Sequence, residues 1–324
     1  MLAAISWGAQ LNQTQHSNWD RLLSMGLYEW LQSRVRESHA HHALQFLTFA
    51  RQAVVEARGS RIERGESILN QLEAASCAHR LPQEVVLLCR DHLHASRAYM
   101  CFARGSFHDA ILHLKAAIAL NHKLESGLGY PLAQAHRIHL VENIVRVHLR
   151  SKDLRAGMTL AGGLLAYLSG LQLAPLPGRG WNPKSLRNLP IGFVEAKCAV
   201  LTSLVAAVID DSERLQRRVL FRILTRAGHR HLDRVCHPGA AAWFDLMAGL
   251  LDDGAVGAEE KLASYLRAGR RDCALLWFSA LRHFLEQTEH HQDRERIRFR
   301  VSTIIGGWVG LPRGIRLLVE SRRP

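Results

Sequence analysis

The sequence predicts an all-α protein built from consecutive helical hairpins, and three observations carry that expectation. Leu and Ala dominate a hydrophobic fraction of 48% in 324 residues, while Val, Ile and Thr almost never alternate at the period of two that a half-buried strand requires. Gly and Pro recur as punctuation between stretches of helical apolar spacing. The stretch Ala98 to Leu120, AYMCFARGSFHDAILHLKAAIAL, places residues as two crossing antiparallel helices need them. Ala98 is small at the crossing, Gly105 stops the first helix, Phe107 fills the turn, and Ala110 lets the second helix come close.

Taken in order, helical spacing begins near Asn18, a residue type that accepts a hydrogen bond from a free N-terminal amide and so caps WDRLLSMGLYEWLQSRV. A second helix covers about His39 to Ala57 and is closed by Arg58-Gly59-Ser60. A third runs from Ile62 to about His79. Pro82 opens a long helix through Ala103, since proline lacks an N–H that the first turn would leave unpaired anyway. Phe107 to about Leu124 follows, ended by GLGYP at Gly127 to Pro131, and then the pair Leu132 to Arg150 and Leu154 to Leu171. Ala174 to Pro190, APLPGRGWNPKSLRNLP, is too rich in proline and glycine for a helix and reads as a linker or a loop crossing one face. Helices resume at Ile191 to Ile209, Ser212 to Ala227, Ala240 to Leu251, Ala258 to Arg267, Asp272 to Gln287 and Asp293 to Ile304. The organisation expected is therefore residues 1–173 as helical repeats, 174–190 as linker or loop, and 191–324 as a region that either continues the array or caps it as a helical bundle.

The repeat is visible beyond its best unit. Phe49, Ala53, Ile62, Gly65, Leu69 and Leu72 mark an earlier copy, and Val145, Leu154, Gly157, Ala161 and Leu164 a later one. The small residues Gly65, Ala110 and Gly157 are 45 and 47 positions apart. This pattern resembles the tetratricopeptide (TPR) family, whose usual period of about 34 residues is shorter. Cys101 stands where the family has an aromatic residue and His122 where it has proline. The resemblance implies an all-α, TPR-like superhelix of about 12–14 helices, with ligands held on the concave face by the first helix of each pair.

In members of that family with a carboxylate clamp, an Asn two residues before the small crossing position and a basic residue seven beyond it grip a peptide carboxylate. Asn143 and Arg150 stand at those places here, with Arg146 one turn away, and the earlier copy offers Arg51 and Arg58. Arginines on facing helices can chelate a carboxylate through two parallel hydrogen bonds. The bland alternative is that these arginines are solvated and offset helix dipoles near C-termini.

Composition narrows the function classes. Forty-two Lys and Arg against 29 Asp and Glu give a net charge of +13, and nearly all the cations are Arg, which favours planar anionic partners. The six cysteines contain no CxxC pair and sit mostly in apolar helical patterns, which suits reduced thiols and a cytoplasmic location. The N-terminus lacks the pattern of a signal peptide, and the apolar run Ile191 to Ile209 carries Glu195 and Lys197, so no membrane span is expected. No GxSxG, phosphate loop or HExxH motif occurs. Asp210-Asp211-Ser212-Glu213 stands at a helix start and reads as a cap.

Nineteen histidines cluster locally, as at His39, His41 and His42, at His92 and His94, and at His136 and His139, but adjacent histidines point to different faces of a helix. No catalytic residue, metal ligand or cofactor is therefore assigned from sequence. The basic stretches from Arg214 to Arg234 and from Asp293 to Arg300 are interleaved with acids, so nucleic acid is a secondary expectation. The leading expectation is a non-enzymatic TPR-like adaptor, chaperone-like or regulatory protein that binds a protein or acidic peptide. A sensor for a small acidic molecule and a helical His-rich metalloenzyme are the alternatives.

Overall fold

The computed structural model describes residues 25–78, 80–130, 132–171, 175–226, 237–251, 257–267 and 274–305. The expected cap at Asn18 and the end of the basic stretch from Arg214 to Arg234 lie outside them. The protein is all-helical, with no strand among the described residues. The chain divides into two compact units between Val194 and Glu195.

In the first unit, helical residues 25–34 (α1) precede α2 (Glu37–Arg58), α3 (Ile62–Ala78), α4 (Gln83–Ala103), α5 (Phe107–Leu128), α6 (Ala133–Arg150) and α7 (Leu154–Leu168). The pairs α2–α3, α4–α5 and α6–α7 are helical hairpins; α2 also packs on α4, and α5 on α6. Their apolar faces form the core: Ala43, Phe46 and Ala53 of α2, Val85 and Leu88 of α4, and Leu124 of α5 are all buried. The first half of α5 matches the sequence reading, but the helix runs one turn further, to Gly129, whose φ of 67° supplies the left-handed stop.

The three hairpins share one turn. Each connection is three residues long, and its middle residue is left-handed: Ser60 at φ 64°, Gly105 at φ 80° and Lys152 at φ 65°. In the first two, the amide following the left-handed residue reaches back five residues, Arg61 to the Glu56 carbonyl at 3.0 Å and Ser106 to the Cys101 carbonyl at 2.8 Å. These bonds satisfy carbonyls that the helix end would otherwise orphan. Five residues after each left-handed position comes the small residue at the crossing, Gly65, Ala110 or Gly157, and all three are buried. A Cβ on Gly65 would stand 2.7 Å from the Ala53 carbonyl oxygen, and one on Gly157 would stand 2.6 Å from Leu149 Cδ2. Here the second helix approaches so closely that the backbone itself fills the space.

Residues 175–190 fold onto this unit. Trp181 is buried, its indole N–H donates to the Pro177 carbonyl at 2.7 Å, and Tyr167 meets its ring edge-on at 5.1 Å. Arg137, fully buried on α6, donates to the carbonyls of Arg179 at 3.0 Å and Gly180 at 3.2 Å and pairs with Glu125. A 3-10 helix, Pro183–Asn188, closes the segment.

In the second unit, α8 (Ile191–Asp210) continues past Glu195 and is followed by α9 (Arg214–Arg226), α10 (Pro238–Leu251), α11 (Ala258–Arg267), α12 (Ala274–Gln287) and α13 (Arg294–Ile305). Phe221, Trp243 and Phe244 form an aromatic core, and the Trp243 indole donates to Ser279 Oγ at 3.1 Å. By length and composition α8 is the one helix among the described residues apolar enough to cross a membrane, and half of that window is buried inside the protein.

The acids at the end of α8 reach residues of α12. Asp210 contacts His283 at 3.1 Å, Asp211 pairs with Arg282 at 3.0 Å, and Ser212 Oγ donates back to the Val208 carbonyl. Beside them Arg217 grips Glu286 through both Nη atoms. Burial works to raise the Glu286 pKa, but hydrogen bonds from Arg217 and Arg282 hold it below the usual carboxylate value.

Candidate functional site

A buried polar cluster in the first unit lies where α4, α5 and α6 converge. Helix α4 buries Val85, Leu88 and Ala98 along one face, and Asp91 interrupts that stripe with an exposure of 0%. Helix α5 does likewise, with Asn121 following Leu114, Ala117 and Ile118 at 1% exposed. A buried carboxylate is costly unless its oxygens are bonded, and here both are. Asp91 Oδ1 accepts from Asn121 Nδ2 at 2.6 Å, and Oδ2 lies 2.9 Å from His136 Nδ1 on α6.

The second Asn121 amide hydrogen goes to the Ala117 carbonyl at 3.2 Å. Asn121 Oδ1 is buried and has no hydrogen-bond partner. His92, the next residue on α4, stacks on His136 with ring centroids 4.8 Å apart and planes at 15°. Burial, and then the nearby His136, push the His92 imidazole down to about 4 against the pull of Asp91, with Arg51 adding to the depression. His92 is thus neutral at pH 7 and offers a lone pair. Donor atoms of Asp91, His92 and His136 all lie within 4.8 Å of one another. Asp91 forms the buried floor, and the His136 side chain is 23% exposed at the rim.

A second histidine pair joins α4 to α5. His94 Nδ1 and His113 Nδ1 are 2.9 Å apart, which requires one ring to donate and the other to accept. Burial lowers both pKa values.

The clamp candidates are distributed between two helices. Arg51 and Arg58 are exposed on α2, and the Arg58 guanidinium lies 5.4 Å from the centre of the Tyr99 ring of α4. Asn143, Arg146 and Arg150 share α6. Asn143 Nδ2 lies 3.2 Å from His139 Nε2, Arg146 is ion-paired with Glu142 four residues earlier, and Arg150 is exposed.

Sequence reasoning grouped histidines that are neighbours along the chain, whereas the structure pairs them across helices, His92 with His136 and His94 with His113. It passed over Asp91 and Asn121. The signal that could have found them is a polar residue inside an otherwise apolar helical stripe, since such a residue is seldom buried without a partner. Compared with known families, characterised proteins and solved structures, the chain matches none of them.

Proposed function

We propose that the first unit is a TPR-like repeat scaffold and that the protein is a non-enzymatic adaptor, chaperone-like or regulatory protein holding a peptide or protein segment. The observation that carries this reading is the recurrence of one hairpin three times: a three-residue turn with a left-handed centre, followed five residues later by a small residue at the crossing. A hairpin of this kind cannot bury its own apolar faces, so copies stack, and the first helices of successive pairs then present an extended surface suited to a chain segment. The exposed cations Arg51 and Arg58 on α2 and Arg150 on α6 supply anion-binding groups on two of those first helices. A reducing, cytoplasmic setting fits Cys89 and Cys101, which are free thiols.

The test is fluorescence anisotropy of the full chain with a panel of peptides carrying acidic C-termini. Binding that weakens about tenfold in Arg51→Ala and in Arg150→Ala, and in peptides whose C-terminal carboxylate is amidated, supports the clamp; a tenfold loss corresponds to about 1.4 kcal/mol. Binding that ignores both substitutions rules out the clamp, and a panel with no binder at all rules out the peptide reading.

A further inference from the structure

We propose that Asp91, His92 and His136 form a binding site for a divalent transition-metal ion, with zinc the best fit. The inference is independent of peptide binding. Two imidazoles and one carboxylate are a donor set that zinc and its first-row neighbours accept, while hard cations such as calcium and magnesium prefer all-oxygen cages. The three side chains come from two helices, α4 and α6, so the protein's own packing brings the donors together.

Three features separate this cluster from an ordinary buried ion pair. The polar contacts of the Asp91 carboxylate are with an amide and an imidazole, and no lysine or arginine is among them. A cation held at the ring nitrogens would place positive charge beside it. The His92 and His136 rings stack nearly parallel, a contact that charge repulsion would oppose if both were imidazolium ions. Finally, Asn121 Oδ1 is a buried acceptor with no donor. Three protein ligands leave a coordination position that water fills, and such a water has a hydrogen to give to that oxygen.

Zinc bonds of about 2.0–2.2 Å put neighbouring donors roughly 3.3 Å apart. Closing the present spread of up to 4.8 Å takes side-chain rotations that turn the in-plane lone pairs of the stacked rings toward one point. His92 and His136 are only partly buried and can make them, while Asp91 is held by Asn121. Asn121 is in this sense a positioning residue for the carboxylate.

The test is equilibrium dialysis of the tag-free full chain against Zn2+, with Co2+ as a spectroscopic stand-in. The expected result is one ion per chain and an intense visible Co2+ band of low coordination number, both lost in His92→Ala and His136→Ala through affinity at least about 100-fold weaker, and weakened about tenfold in Asn121→Ala. His41→Ala, in the histidine cluster of α2, keeps the site. Circular dichroism verifies that each variant is folded, and should Asp91→Asn or Asn121→Ala unfold, the partly exposed His92 and His136 still decide the matter. No stoichiometric ion in the wild-type chain overturns the proposal, as does binding that survives both histidine substitutions or that vanishes in His41→Ala.

Discussion

The guanidinium of Arg137 lies 4.9 Å from the centre of the Trp181 ring, and its nitrogens donate to two consecutive backbone carbonyls, those of Arg179 and Gly180. A cation on an aromatic face, desolvated and hydrogen-bonded, couples a helix to a proline-rich segment that has little regular structure of its own. Trp181→Ala should therefore cost about 3–5 kcal/mol, the usual penalty for emptying a buried tryptophan site. Urea denaturation measures it. Because the two side chains act together, Arg137→Met combined with Trp181→Ala should fall short of the sum of the single effects by about 0.5–3 kcal/mol. Strict additivity would mean that the contact contributes nothing.

The hairpin turns predict opposite signs for two glycine exchanges. Lys152 holds φ 65° with a Cβ that the left-handed region penalises by about 1–2 kcal/mol, whereas Gly105 occupies the same place in its own turn without penalty. Lys152→Gly should stabilise the protein by a few tenths to about 1 kcal/mol, the relief being partly offset by the entropy of an unfolded glycine. Gly105→Ala should destabilise it by about 1 kcal/mol. Thermal denaturation distinguishes the two directions.

Space rather than dihedral angle governs the next pair. A methyl at Gly65 meets the Ala53 carbonyl and Met100, so Gly65→Ala should cost about 1–3 kcal/mol as the helices are forced apart. Gly127 lies in the last turn of α5 with nothing near its missing Cβ. Gly127→Ala should gain up to about 1 kcal/mol from helix propensity. Equal responses at the two positions would refute the close-crossing account of the hairpins.

His92 makes stability depend on pH. Its folded pKa of about 4 lies below its ordinary value of 6.5, so the unfolded chain takes up this proton first as the pH falls. The contribution of the neutral, partly buried ring is complete above pH 6.5 and is lost as the pH drops through 6.5 toward 4. In metal-free protein, urea midpoints should fall across that window, and the fall should be shallower in His92→Gln. The His92 imidazole resonance should titrate near pH 4 by NMR. A titration near 6.5 would show that the ring is solvated.

Much of the helical framework was legible because it rests on local chemistry. Leu and Ala spacing, Gly105, Pro82 and Gly129 act within a few residues of where they stand, and helix ends fell within a turn of their expected positions. The turns at Ser60 and Lys152 were not legible as left-handed, because neither is glycine and the conformation is imposed by the helices on either side. The segment 175–190 shows the same limit. Its prolines and glycines exclude an α-helix, but the partner that orders it, Arg137, lies some forty residues away. Arg137 itself sits in a register where the sequence pattern gives no reason to expect a buried charge. At the candidate site the limit is sharper still. Asp91, Asn121 and His136 belong to three helices, and only packing brings them together.

The ion pairs of the second unit bear on the order in which the protein can be made. His283, Arg282 and Glu286 of α12 bind Asp210, Asp211 and Arg217 across separations of 73, 71 and 69 residues. The hairpins of the first unit, by contrast, close between neighbours in the chain. On a ribosome the first three hairpins can form one after another as they emerge, but the end of α8 and the start of α9 must wait for α12 with their charges unmatched. A nascent chain stalled before residue 274 should thus expose that acidic and basic seam, making the interval between the synthesis of Asp210 and Glu286 the period in which the protein most needs protection.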